Sequence, residues 1–226
     1  MYVNWPSPLP DGGTGEEMAL AFDWNRTHRL LVLAPLFNEG NTFRHQLFEI
    51  MRQLSLDGVD CFLPDLTGCN ESPQPLDRQT IAHWRKAVLA AAEYFGTSHV
   101  FALRSSAWLV PDGMPGWIYA PVPPSQTLRT MLRARIIAAR EAGIEERSEE
   151  LLEAGRQDGL DLGGWQLGAA LIGEMQDSGF DPGASHVIVE HEEIGGAPLW
   201  LRAEPDSDAA QAEKIAALLA DGIMGR

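Results

Sequence analysis

The chain has 226 residues, 45% of them hydrophobic, and sets 17 Lys and Arg against 32 Asp and Glu for a formal net charge of −15. Residues 1–226 therefore fit one domain that needs no disulfide or metal staple, and the acidic balance argues against a nucleic-acid partner. No run approaches the roughly 18 apolar residues of a membrane span, and residues 1–15 lack the basic-then-apolar order of a signal peptide, so the expected location is cytoplasmic.

Hydrophobic periodicity alternates between strand and helix. Residues 18–22, a turn at Asn25-Arg26-Thr27 and residues 30–34 read as a hairpin leading into a buried strand. A helix is predicted over residues 42–56, because Phe43, Leu47, Ile50, Met51 and Leu54 fall on one helical face. Gly58 closes it, and residues 59–63 form a second core strand ending at Pro64-Asp65. Cys61 and Cys69 match no zinc spacing and read as two buried or half-buried thiols of a reducing compartment. After a turn-rich stretch at 66–75, Ile81, Trp84, Val88, Ala91 and Phe95 mark a helix ended by Gly96, and residues 99–103 make a third strand. A stunted helix at 105–110, stopped by Pro111, precedes a strand at 117–120. Helices at 126–143, 147–155 and 167–178 follow, then strands at 186–190 and 199–201, and a terminal helix at 209–220 capped by Asp206 or Ser207.

Strands alternating with helices predict a doubly wound, mostly parallel sheet, which binds ligands outside the carboxyl ends of its strands. Three loops lie there, at 35–41, 64–75 and 103–107. The last is the most informative. Small Ala102 and Ser106 flank Arg104, as small residues flank the nucleophile in the G-x-S-x-G elbow of α/β-hydrolases, where the chain turns sharply from strand to helix. The expected fold class is thus α/β, α/β-hydrolase-like, with a small helical cap inserted at residues 126–155.

Pro35 with Asn38-Glu39-Gly40-Asn41 and Arg44, then Pro64-Asp65-Leu66 with Gly68-Cys69 and Ser72, then Trp84 and Leu103-Arg104, resemble the exosortase A system-associated hydrolases whose elbow carries Arg. The likeness continues through residues 155–178 and 194–219, with Pro198 and Trp200, and so covers most of 28–220. It implies an α/β-hydrolase fold and a role beside exosortase, exopolysaccharide and protein-sorting functions of Gram-negative bacteria, with a protein partner in that system. The sequence departs from the family in having Ala102 and Ser106 where members tend to have Gly, and in a shorter segment after the elbow.

A Ser-His-Asp hydrolase needs a nucleophile at the elbow and a His after the last strand. Here the elbow holds Arg104, and the expected loop at 203–207 contains no His; the last one, His191, follows the preceding strand, where the acid usually stands. A guanidinium stays protonated and cannot attack, but its planar fork suits a carboxylate or phosphate. Arg104 is therefore a ligand anchor, with Glu39, Asn41 and Asp65 as neighbours, or an internal partner of Glu39 or Asp65, or part of some reaction. Ser105 and Ser106 are the alternative nucleophiles, although as first residues of a helical turn they serve equally as caps. Glu39 and Asn41 occupy the oxyanion-loop position, where a carboxylate would repel a developing oxyanion. Arg129, Arg133 and Arg140 form either an anion-facing row or a solvated face paired with Glu141, Glu145 and Glu146.

His45 and His83 fall on helices and His186 and His191 on opposite faces of one strand, so no metal site is expected. The glycine runs 12–15 and 163–164 lack nucleotide-binding spacing, so no cofactor is expected either. The leading expectation is a pseudoenzyme of the exosortase and exopolysaccharide system, with a degenerate triad and little or no hydrolase activity, that holds a small anionic or acyl ligand. The competing ones are an active hydrolase or acyltransferase using Ser105 or Ser106, and a scaffold or interaction protein.

Overall fold

The computed structural model describes residues 1–181, 185–202 and 204–225. The chain opens with β1 (Tyr2–Pro8) and β2 (Thr14–Phe22), then runs through β3 (Arg29–Leu33), α1 (Asn38–Leu56), β4 (Asp60–Pro64), α2 (Ile81–Phe95), β5 (His99–Leu103) and β6 (Gly116–Tyr119). Helices α3 (Pro124–Glu141) and α4 (Ser148–Asp158), the hairpin of β7 (Leu160–Leu162) and β8 (Trp165–Leu167), and α5 (Ala169–Asp177) intervene before β9 (His186–Val189), α6 (His191–Ile194) and α7 (Ala209–Met224). Among the described residues, seven strands form one sheet in the order β1-β2-β4-β3-β5-β6-β9. It is parallel from β4 to β9, with β1 and β2 antiparallel at one end.

Alternation along each strand sends side chains into two helical layers. Leu31, Leu33, Val100, Ala102 and Ile118 share a buried cluster with Trp84 and Val88 of α2 and Leu171 and Met175 of α5. Leu30, Val32, Phe101, Leu103 and Tyr119 share the other with Leu47, Ile50 and Met51 of α1 and Ile215 and Leu219 of α7. The sheet is thus doubly wound and mostly parallel, as the alternation predicts. No helix of the described residues is long and apolar enough to cross a membrane.

Several elements differ from expectation, each for a local reason. β2 is not the hairpin partner of β3; it pairs with β1 and β4. The turn between them is held instead by Asp60, a fully buried carboxylate that accepts from the Arg26 backbone N–H at 2.8 Å and from Arg29 Nη1 at 3.3 Å. The chain therefore re-enters the sheet one strand further on. Residues 38–41 are not loop but the first turn of α1, which has no side-chain cap to announce it, since Phe37 stands at the N-cap. Residues 199–201 form a 3-10 turn after Pro198 rather than a strand. His191 opens α6, so it shares no strand with His186. α7 is capped by Asp208, whose Oδ1 accepts from the Gln211 N–H at 3.1 Å, and not by Asp206 or Ser207. The β7–β8 hairpin was not expected, although its turn is Gly163-Gly164 with both φ positive, at 67° and 89°, the backbone a two-residue hairpin loop demands.

The register of β5 against β6 tolerates no side chain at Gly116, where a Cβ would lie 2.0 Å from the Val100 carbonyl oxygen. Gly116→Ala is expected to cost about 3 kcal/mol through overpacking. Urea denaturation should show a lower midpoint with an unchanged slope.

Candidate functional site

β5 ends in Arg104, and a 3-10 turn over Arg104–Leu109 begins at once. The backbone at Arg104 is left-handed, with φ 55°. A residue carrying a Cβ pays about 1–2 kcal/mol for that conformation. Phe37, after β3, and Ala120, after β6, are left-handed as well, at φ 59° and 45°. Three adjacent strand ends thus carry strained residues, an arrangement that concentrates at functional sites.

Each nitrogen of the Arg104 guanidinium donates one hydrogen bond. Nε and Nη2 each donate to one oxygen of Glu39 at 3.1 Å, and Nη1 donates to the Ala120 carbonyl at 3.1 Å. Its carbon lies 4.2 Å from the centre of the Trp200 ring. Glu39 stands in the first turn of α1, where the helix dipole favours a carboxylate. Arg104 thus pairs with Glu39 and not with Asp65.

Both elbow serines are buried. Ser105 Oγ accepts from the Leu36 N–H at 2.7 Å, and Ser106 Oγ accepts from the Leu103 N–H at 2.9 Å while lying 2.9 Å from the carbonyls of Leu33 and Leu103. Their hydrogen-bond partners among the described residues are backbone groups, with no imidazole. In a working elbow, an N–H of the loop after β3 helps hold the oxyanion. The N–H of Leu36, in that loop here, is already spent on Ser105.

His191 makes its hydrogen bonds to Tyr119 and Gly196. Its Nδ1 lies 2.6 Å from the Tyr119 hydroxyl and its Nε2 3.2 Å from the Gly196 carbonyl, so Tyr119 donates to Nδ1 and Nε2–H donates to Gly196. Burial pushes the Tyr119 hydroxyl up to about 12, which keeps it a donor. The His191 ring meets Trp200 edge-on at 4.9 Å. Trp200 thus links Arg104 to Tyr119 and His191, and neither serine is among the hydrogen-bond partners of His191 in the described residues. Sequence reasoning did not bring Trp200 to the elbow because the 199–201 segment read as a strand, with Pro198 before it the available signal, and Tyr119 on the expected 117–120 strand carried no signal of its own.

Asn41 and Asp65 belong elsewhere. Two residues apart on α1, Glu39 and Asn41 point about 200° from each other, so one faces the elbow and the other does not. Asn41, Arg44, His45 and Phe48 share the opposite face and, with Asp65, line a cavity of about 690 Å³; neither Arg104 nor Glu39 lines it. The expected four-residue anchor is therefore split between two places. A void of about 20 Å³ beside Pro35, Leu36, Phe37 and Trp165 leaves room near the β3 loop for about one water. Burial pushes the Asp65 carboxyl above its ordinary value, opposed by the Asn70 amide at 2.7 Å and the charge of Arg44. On α3 the ion pair runs from Arg135 to Glu146 at 2.6 Å, while Arg129, Arg133 and Arg140 are exposed. Ala203, in the loop where a catalytic His would stand, lies outside the described residues.

The sequence matches no family model and no curated protein. Solved structures do match in fold. An esterase from Thermogutta terrifontis, malate bound, is 13% identical with a TM-score of 0.56, covering 100% of this chain and 98% of that one. Alpha/beta hydrolase domain-containing protein 10 from mouse is 14% identical with a TM-score of 0.53, over 100% and 98% of the two chains. The Bottromycin epimerase BotH, in complex with Bottromycin A2, is 15% identical with a TM-score of 0.51, over 96% and 99%. The chain has the α/β-hydrolase fold.

Two predictions follow from this geometry. Arg104→Ala and Arg104→Gly lose the same ion pair, but only glycine relieves the left-handed backbone, so the Gly variant should be more stable than the Ala variant by about 1 kcal/mol in urea denaturation. Cys61 and Cys69 are free and buried, and burial raises both thiols, Cys69 to about 12. A thiol-disulfide dye at pH 8 should leave the native chain unlabelled and titrate both cysteines once the chain is unfolded.

Proposed function

We infer that this chain is a ligand-binding protein built on an α/β-hydrolase fold, with the serine-hydrolase machinery replaced by a structural ion pair. The observation that carries this reading is the elbow itself: the strained position holds a guanidinium, not a nucleophile, and each of its three nitrogens donates a hydrogen bond to Glu39 or Ala120. The hydroxyls of Ser105 and Ser106 satisfy backbone groups, and an attack by either would first have to break those bonds. Arg104 and Glu39 act as the clasp of the strand-end loops. Ligand capacity moves to the cavity bordered by Asn41 and Asp65.

The likeness of Pro35, Asn38 to Asn41, Pro64 to Leu66 and Leu103-Arg104 to the exosortase A system-associated hydrolases supports a place in an exosortase and exopolysaccharide system, with a protein partner there. Two free cysteines agree with a reducing, cytoplasmic setting. The scaffold reading is favoured by the closed Arg104–Glu39 pair, and the 690 Å³ cavity favours the binder over it.

Exposure of the chain to a broad fluorophosphonate probe, followed by intact-mass spectrometry, tests the loss of hydrolase chemistry. No adduct is expected. A single adduct mapped to Ser105 or Ser106 would overturn the reading in favour of an active hydrolase or acyltransferase.

A further inference from the structure

The cavity on the far side of α1 opens between that helix and the β1–β2 end of the sheet. Its volume of about 690 Å³ falls within the range of small-molecule sites, about 300–1,000 Å³. Its walls are apolar where Leu20 of β2, Leu63 of β4 and Phe48 of α1 face one another, and Phe22 backs Phe48 with ring centres 5.6 Å apart.

One carboxylate, that of Asp65, lines this space, acted on by the charge of Arg44 but not in direct contact with it. Asp65 accepts from Asn70 Nδ2 at 2.7 Å and forms no salt bridge among the described residues. Arg44, the guanidinium on the same wall, has its Nη1 3.8 Å from Glu71. Among the described residues the lining thus carries one carboxylate, Asp65, and one guanidinium, Arg44, whose charge Glu71 answers from outside the lining. A half-buried carboxylate is costly to leave unpaired, and a ligand ammonium would pair it with a charge-assisted hydrogen bond while an anionic head would be repelled.

We propose that this cavity binds a small amphiphilic amine, its ammonium on Asp65 and its apolar body between Phe48, Leu20 and Leu63. The inference rests on the reading of the chain as a binding protein, and it departs from the anionic ligand expected at Arg104. It fails separately from that reading, because fluorophosphonate labelling reports the elbow and the following titration reports the cavity.

Hexylammonium chloride titrated into the ¹⁵N-labelled full chain should shift the backbone amides of Asn41, Phe48 and Asn70 saturably. Hexanoate, the same hydrocarbon with the opposite charge, should bind at least about tenfold more weakly. Asp65→Asn, which keeps the side-chain shape, should weaken hexylammonium binding by about tenfold. Equal affinity for the two probes, tighter binding of hexanoate, no saturable shift at these amides, or unchanged affinity in folded Asp65→Asn would overturn the proposal. If that variant does not fold, the comparison of the two probes on the native chain decides.

Discussion

A guanidinium on a left-handed residue joins four segments that meet at the carboxyl edge of the sheet: the end of β5, the first turn of α1, the residue after β6, and the 3-10 turn carrying Trp200. Each contact answers a need elsewhere. Glu39 is a partly buried carboxylate that would be costly without its cation, and Ala120 is itself strained, so a hydrogen bond to its carbonyl helps to fix it. Trp200 in turn meets Phe43, Tyr119 and His191 and so carries the tie into the layer of α1 and α7. At this edge of the sheet Arg104, Glu39 and Trp200 pack on one another.

The same economy governs the smaller polar groups. Buried hydroxyls and N–H groups must find partners, and around the elbow they find one another: Ser105 with Leu36, Ser106 with Leu33 and Leu103. These bonds hold the β3 loop against β5. The cavity of about 690 Å³ lies on the other side of α1, and the helix itself makes the division, since residues two apart on it look in opposite directions.

Much of this was legible in the sequence. The apolar stripe Phe43, Leu47, Ile50, Met51 and Leu54 and the stripe on α2 place both helical layers, and the small residues around Arg104 mark the elbow. What escaped depended on long-range contacts. The pairing of β2 with β4 follows from a buried Asp60 that accepts from residues 31 and 34 positions earlier in the chain, which no local pattern reveals. The first turn of α1 begins without a capping side chain, so Glu39 and Asn41 read as loop neighbours sharing one site rather than as opposite faces of a helix. Tyr119, His191 and Trp200 come together from three separate segments, and each alone looks like ordinary core.

The ends of the sheet carry one further consequence. Met1 and Ala21 exchange both backbone hydrogen bonds, so the odd-numbered residues of β1 face β2 and the even-numbered ones face outward. Pro6 and Pro8 are both even, and their missing N–H groups fall on the free edge. That edge offers outward donors at Tyr2 and Asn4 alone, while the opposite edge, β9, is four residues long. A neighbouring chain seeking to lengthen the sheet therefore meets a blunted ladder at one end and a short one at the other, which guards this protein against edge-to-edge aggregation.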